Sequence, residues 1–295
     1  MTANDLQPGL ALPPRTVVAR NTAAHEAGSI HDDAQAERFG YRGGLVPGVT
    51  LLAYLTPSLI AAFGEAWLRR GRLAARFRRP AYHDDTVVAR ATVSARYERG
   101  VSLRCAVERD GAVCVEAEAS CALGETPVDT TPWRRGIPSG HPPPALDGGL
   151  PPLSAETLSA GQELSPLTYR LSPDEAARWA ADADDDYPWY RTESPFGGPV
   201  IHPACFARDP IHLLRHNFAY KATVHASTDL TYRGAGFPGR DHTVYGYVVD
   251  VYERRGHDYA VIDTLTIDED GREIARNRHV SLITLRGEKA GGSTG

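Results

Sequence analysis

The sequence predicts two tandem copies of one α+β unit, and three observations carry that prediction. The first is a repeat of landmarks at nearly one offset. Tyr97-Glu98-Arg99 returns 155 residues later as Tyr252-Glu253-Arg254, and the turn Gly43-Gly44-Leu45-Val46-Pro47-Gly48 returns as Gly197-Gly198-Pro199-Val200-Ile201-His202-Pro203, which sets Pro203 at the same offset from Gly48. Asp110-Gly111 returns as Asp270-Gly271, 160 residues on. The second observation is that each turn feeds an apolar helical stretch, over 49–63 and 204–218. The third is a set of strand-like runs after each helix, at 86–96, 101–108 and 112–123, then at 242–252, 259–268 and 273–285. Their partial alternation and the Asp-Gly turns predict antiparallel meanders, and a helix that a meander can wrap is an α+β unit.

The boundaries follow from composition. Residues 124–166 are dense in Pro and Gly, including Pro142-Pro143-Pro144 and Gly148-Gly149, and lack periodicity, so they read as a connector. The expected units are therefore 1–123 and 167–286, with a flexible small-residue tail at 287–295.

Composition removes several function classes. The 295 residues are 42% hydrophobic and 23% charged, which is ordinary globular usage and argues against wholesale disorder. A net charge of −5 argues against a nucleic-acid partner held by a basic face. Only Lys221 and Lys289 are lysines, an Arg and Ala bias that fits a high-GC bacterial genome and says little about function. Cys105, Cys114, Cys121 and Cys205 form no CxxC pair and have no His cluster at zinc-ligand spacing, so reduced structural thiols in a cytoplasmic protein are expected, and no metal. The N-terminus shows no signal-peptide pattern. The uncharged run 43–64 is long enough to span a bilayer, but its Gly, Pro, Ser and Thr content makes it a buried helix of a soluble fold, with no membrane partner expected.

The motifs then resemble a known family. Ile30-His31-Asp32-Asp33, Ala36, Phe39-Gly40-Tyr41 and the Gly43–Gly48 turn are similar to the hydratase motif of the MaoC-like, R-specific enoyl-CoA hydratases. Val248-Val249-Asp250-Val251-Tyr252-Glu253-Arg254-Arg255 and Asp268-Glu269-Asp270-Gly271 are similar to that family's final strands. The resemblance implies a double hot-dog fold, each unit an antiparallel sheet wrapped round a central helix, with one chain imitating the usual dimer. It also implies reversible hydration or dehydration of an enoyl or 3-hydroxyacyl thioester, or of a related natural-product intermediate, without a cofactor. An Asp and a His handle water, and the backbone N–H of a turn glycine holds the thioester oxygen, where negative charge develops.

Carried over by position, the first copy has His31 at the His, Glu26 at the Asp, and Gly28 and Ser29 where the pattern has Asn and Pro. Pro47 replaces the second His of the turn, and Gly48 keeps the donor N–H. His25, beside Glu26, is an equal candidate for the partner of His31. Asp32 and Asp33 are expected to favour the N-terminus of the short helix that follows. The second copy has Asp185 at the acid, Tyr190 in place of the His, and Pro203, which has no N–H, in place of the glycine. The reactive site is therefore expected at His31, Glu26 and Gly48, with Asp185, Tyr190, His25 and His202 as further pocket candidates. His202 has two readings, a structural hydrogen-bonder or a residue that reaches the pocket.

The arginines at 69, 70, 72, 76, 78 and 79 form the main positive cluster. Arg69, Arg76 and Arg78 are the candidates for the phosphates of a CoA or acyl-carrier-protein substrate, and a solvated face is the plain alternative. Two rivals to the hydratase remain. A non-catalytic acyl or small-molecule binder would keep the pocket without depending on His31. A hot-dog thioesterase would need a carboxylate on the central helix, which 49–63 lacks. A homodimer of the whole chain is also an expectation, since this fold associates through sheet edges or faces.

Overall fold

The computed structural model describes residues 5–123, 149–220 and 222–284. Both lysines, residues 124–148 of the expected connector and the expected tail lie outside the described residues.

The first half runs through strand β1 (Arg15–Val18), then helices α1 (Asp33–Arg38), α2 (Gly48–Ala53), α3 (Thr56–Phe63) and α4 (Glu65–Arg70). Strands β2 (Gly71–Phe77), β3 (Thr86–Tyr97), β4 (Gly100–Arg109) and β5 (Ala112–Ala122) complete it. The second half has β6 (Glu163–Arg170), α5 (Pro173–Asp182), two 3₁₀ segments (Pro188–Tyr190 and Pro203–Arg208) and α6 (Asp209–Asn217). Its strands β7 (Val224–Tyr232), β8 (Asp241–Arg254), β9 (His257–Asp268) and β10 (Glu273–Thr284) follow. All six expected strands are present. Strand β6 starts at Glu163, inside the span expected to be connector.

The strands form one ten-stranded antiparallel sheet in the order β1-β3-β4-β5-β2-β7-β10-β9-β8-β6. Counted inward from either edge, each half lays down its strands first, third, fourth, fifth, second. That shared order is the three-dimensional form of the sequence repeat. The halves join where β2 pairs with β7, from Arg72 opposite Thr231 to Arg76 opposite Ser227. Leu73 and its partner Leu230 are buried there, while Arg72 grips Asp229 with two hydrogen bonds of 2.7 and 2.5 Å.

The single helix expected over 49–63 is broken. Pro57 has no N–H to donate back to the carbonyl of Ala53, so α2 ends there and α3 starts anew at Thr56. The second expected helix divides likewise, into a 3₁₀ segment opened by Pro203 and an α-helix whose first turn holds Pro210. Among the described residues no helix is long and apolar enough to cross a membrane. The arginine run also divides: Arg69 and Arg70 end α4, Arg72 and Arg76 lie on β2 with Leu73 and Ala75 buried between them, and Arg78 and Arg79 follow the strand. All four cysteines are free and buried, and burial pushes the thiols of Cys105 and Cys121 up to about 12.

Trp67 of α4 ties the two halves through their core. It is fully buried, stacked on Phe63 at 5.8 Å and edge-on to Tyr232 of β7 at 5.4 Å. Trp67→Ala is expected to cost about 3–5 kcal/mol, read as a lower urea midpoint.

His202, His242 and His279 are also fully buried. Burial lowers the pKa of each imidazole, down to about 3 for His279; for His202 the nearby Asp185 opposes the shift and loses. The unfolded chain binds protons near pH 6.5 that the native state refuses. Their contribution to stability is thus full above about pH 6.5 and lost as pH falls, at a cost of about 2 kcal/mol by pH 5 for His279 alone. Thermal melting at pH 7, 6 and 5 should give a steadily falling midpoint, and a flat profile would contradict the assignment.

Candidate active site

The loop before α1 fixes His31. The Asp32 side chain caps α1 by accepting from Ala34 N–H at 3.0 Å, and it also accepts from Gly28 N–H at 3.1 Å. Asp33 accepts from Gly44 N–H at 2.7 Å. Gly44 packs so tightly on this loop that a Cβ there would lie 2.0 Å from the His31 carbonyl oxygen, so no larger residue fits. Asn21 donates to that same carbonyl at 2.8 Å. The His31 carbonyl and the two carboxylates beside it are thus engaged, which holds the loop that carries the ring.

The ring itself has a defined proton. His31 Nδ1 lies 2.7 Å from the Leu45 carbonyl oxygen, which can only accept, so Nδ1 carries the hydrogen and Nε2 presents a lone pair. Burial lowers the pKa of His31, against the opposing pull of the Leu45 carbonyl and of Glu26, which keeps the lone pair available at neutral pH.

A cavity of about 280 Å³ lies between the two halves. Its walls include His31 and Gly48 from the first half and Arg215, Tyr220 and His225 from the second. Gly48 is the first residue of α2, where a backbone N–H has no partner within the helix. A side chain there would meet Phe77 at 2.8 Å and His225 Nδ1 at 3.2 Å, so glycine lets both rings approach the start of α2 closely. A second cavity of about 270 Å³ adjoins the first and shares His31, Pro47, Val49, Ile211 and Arg215 with it. Glu26 and His25 line this second space.

The structure thus brings His31 and Gly48 to one cavity, with Glu26 and His25 across the shared wall. Neither Glu26 nor His25 hydrogen-bonds to His31. The Glu26 carboxylate instead forms an ion pair with Arg215, in the last turn of α6. Burial works to raise the Glu26 pKa, but the Arg215 hydrogen bond and charge outweigh it and hold the carboxyl ionised, below its ordinary value. Arg215 also stacks its guanidinium over Tyr220 at 4.7 Å.

Asp185, Tyr190 and His202 line neither of these cavities and form a closed cluster in the second half. His202 Nδ1 accepts from Ala204 N–H at 3.2 Å, so Nε2 carries the hydrogen and donates to Asp185 Oδ2 at 3.1 Å. The rings of Trp179 and Tyr190 cover His202, each at 4.8 Å. The equivalent position in the second half is therefore filled by its own side chains.

Of the candidate arginines only Arg78 lines the first cavity, and it pairs with Glu116 at 2.7 Å. Arg69 pairs with Glu65 at 3.1 Å and lies over Phe196, while Arg76 projects from β2 into solvent. Exposed Arg79, beside Arg78, lines the cavity as well. Sequence reasoning missed Arg215, Tyr220 and His225 because they belong to no motif and reach the site only through the pairing of the two halves.

Neither a protein-family model nor a curated protein matches the chain. Solved structures do. One described as a MaoC domain protein dehydratase from Chloroflexus aurantiacus has a TM-score of 0.71 at 11% identity, over 97% of this chain and 98% of that one. A conserved hypothetical protein of Mycobacterium tuberculosis, described as having a double hotdog fold, has a TM-score of 0.66 at 15% identity over 96% and 98%. One described as an oleoyl thioesterase from Lactobacillus plantarum is more distant, with a TM-score of 0.54 at 9% identity over 94% and 98%. Likeness over nearly the full length, with the mirrored strand order described above, makes this chain a double hot-dog fold.

Proposed function

We propose that the protein is a MaoC-like hydratase or dehydratase acting on an acyl thioester carried by CoA or a carrier protein. What supports the reading above all is one juxtaposition: His31, whose Nε2 carries the lone pair, and Gly48, whose N–H begins α2 with no partner in the helix, line the same cavity between the halves. In the hydration direction, water adds its oxygen to the β-carbon of the enoyl thioester. His31 Nε2 takes the proton that water loses, and a proton is returned to the α-carbon. Electron density runs to the thioester oxygen as the carbon–carbon double bond is lost, and the Gly48 N–H is aimed at that charge. Glu26, kept ionised by Arg215, orients the water from the adjoining cavity.

The thioesterase reading meets a carboxylate on the second helix, Asp209, which the first helix does not offer. Asp209 is fully buried, accepts from Tyr169 at 3.1 Å and Thr266 at 2.6 Å, and lines neither cavity. Burial pushes its pKa up to about 6. An attack on substrate from there has no path through the two cavities described.

The deciding assay is hydration across a panel of enoyl thioesters. His31→Ala is expected to lower kcat by about 10²–10⁴-fold with an unchanged melting midpoint, the range for loss of an acid–base group. Native protein that binds an acyl thioester in the cavity but turns none over would favour the non-catalytic binder. Arg79 is exposed and lines the cavity, which supports it as the residue that would meet a substrate phosphate. Arg79→Ala should raise KM several-fold for a CoA thioester while leaving kcat unchanged, and should leave KM for the matching thioester without phosphates as it was.

A further inference from the structure

His225 stands on β7 and belongs to no motif of the sequence. It lines the cavity that holds His31 and Gly48. Both of its ring nitrogens are sealed from solvent and neither meets full hydrogen-bond geometry, with the Ser227 backbone, two residues on along β7, the one protein group that pulls on the ring by hydrogen bonding. Buried polar atoms are normally paired, so a pair of unmatched nitrogens on a cavity wall points to a partner that arrives with a ligand.

Packing fixes where those nitrogens point. The His225 ring lies against Phe77 at 4.3 Å and His279 at 4.1 Å, and His279 Nε2 is itself held by Ser281 Oγ at 2.5 Å. A Cβ built on Gly48 would come 3.2 Å from His225 Nδ1, so that nitrogen lies within about 5 Å of the Gly48 Cα. The Gly48 nitrogen therefore lies within about 6 Å of Nδ1, and two donors within that span can converge on one oxygen. Burial first, and then the neighbouring His279, hold the His225 pKa well below the ordinary value, so the ring is neutral. A neutral imidazole has one N–H donor and polarises a carbonyl without bringing a charge of its own. The first-half turn carries Pro47 beside Gly48 and so offers no side-chain donor of its own.

We propose that His225, supplied by the second half, is a second hydrogen-bond donor to the thioester carbonyl oxygen, opposite the Gly48 N–H. This rests on the hydration reading for its substrate class. The oxygen is held by one donor from each half, and the cavity is complete only when both halves contribute.

The test uses butyryl-CoA with an isotope-labelled carbonyl, a saturated thioester that cannot be hydrated, and follows its carbonyl stretch by infrared difference spectroscopy. His225→Phe keeps a ring of similar shape and removes both nitrogens, while His225→Gln restores a neutral N–H. Native protein is expected to lower the bound carbonyl frequency, His225→Phe to lose a large part of that shift, and His225→Gln to recover it. With crotonyl-CoA, His225→Phe should lower kcat by about 10²–10³-fold with little change in KM, the usual effect of losing one such donor.

A native carbonyl frequency in His225→Phe overturns the proposal, as does the absence of any shift in the native protein. Equal losses in both variants with a lowered melting midpoint assign His225 to packing, which also overturns it. Failure of the native protein to hydrate any enoyl thioester sinks the hydratase reading instead, and the carbonyl shift still decides the role of His225.

Discussion

Strand β2 meets β7 along five residue pairs, and most of what the molecule can do depends on that short ladder. Without it each half would present a bare strand edge, an arrangement prone to pairing with other chains. With it, ten strands become one sheet, Leu73 and Leu230 close the core across the joint, and Trp67 finds Tyr232. The same pairing packs α2 of one half on the 3₁₀ segment Pro203–Arg208 of the other and brings Gly48 close to His225 of β7. The cavity, with Gly48 on one wall and Arg215 and His225 on another, exists because of it.

The two halves have resolved the same local problem in opposite ways. In the second, an Asp and a His meet directly, under Trp179 and Tyr190, and are removed from water. A buried ionised group is tolerated only when paired, and here each member of the pair is the reason the other can stay. In the first, Glu26 turns away from His31 to an arginine of the partner half, and His31 takes a backbone carbonyl instead. That exchange of partners leaves one imidazole nitrogen of a cavity-lining histidine unclaimed, which is the difference between a packed corner and an open one.

Much of the fold was legible in the sequence because its signals are local and repeated. Long alternating runs such as β3, with Val87, Ala89, Ala91 and Val93 all buried, declare themselves as strands. The duplicated turns declared the tandem organisation. Strand β2 was hidden because Arg72 and Arg76 belong to a longer arginine run, and the inward residues beside them, Gly71, Leu73 and Ala75, include one large apolar side chain. The helix break was missed because the apolar pattern continues across Pro57 while the hydrogen-bond ladder cannot. Half of the site was legible too: His31 and Gly48 sit in a motif, and their environment follows from nearby residues such as Gly44 and Leu45. Arg215 and His225 carry no such signature, since nothing local distinguishes an arginine or a histidine that faces a site built by the other half of the chain from one that faces solvent; Arg215 meets Glu26 across 189 residues of sequence.

The fusion of the halves has a consequence for how such a cavity can change. In a symmetric pair of identical chains, any substitution on one wall is copied onto the matching wall of a second, equivalent site. A mutation that improves one side must then be tolerated in both settings at once. Here Gly48 and Pro203, or His31 and Tyr190, occupy matching places under separate genetic control. The second half fills its own corner with Asp185, Tyr190 and His202, while its Arg215 and His225 line the cavity shared with the first. Broken symmetry lets one pocket acquire unlike walls, so its shape and polarity can follow an asymmetric substrate.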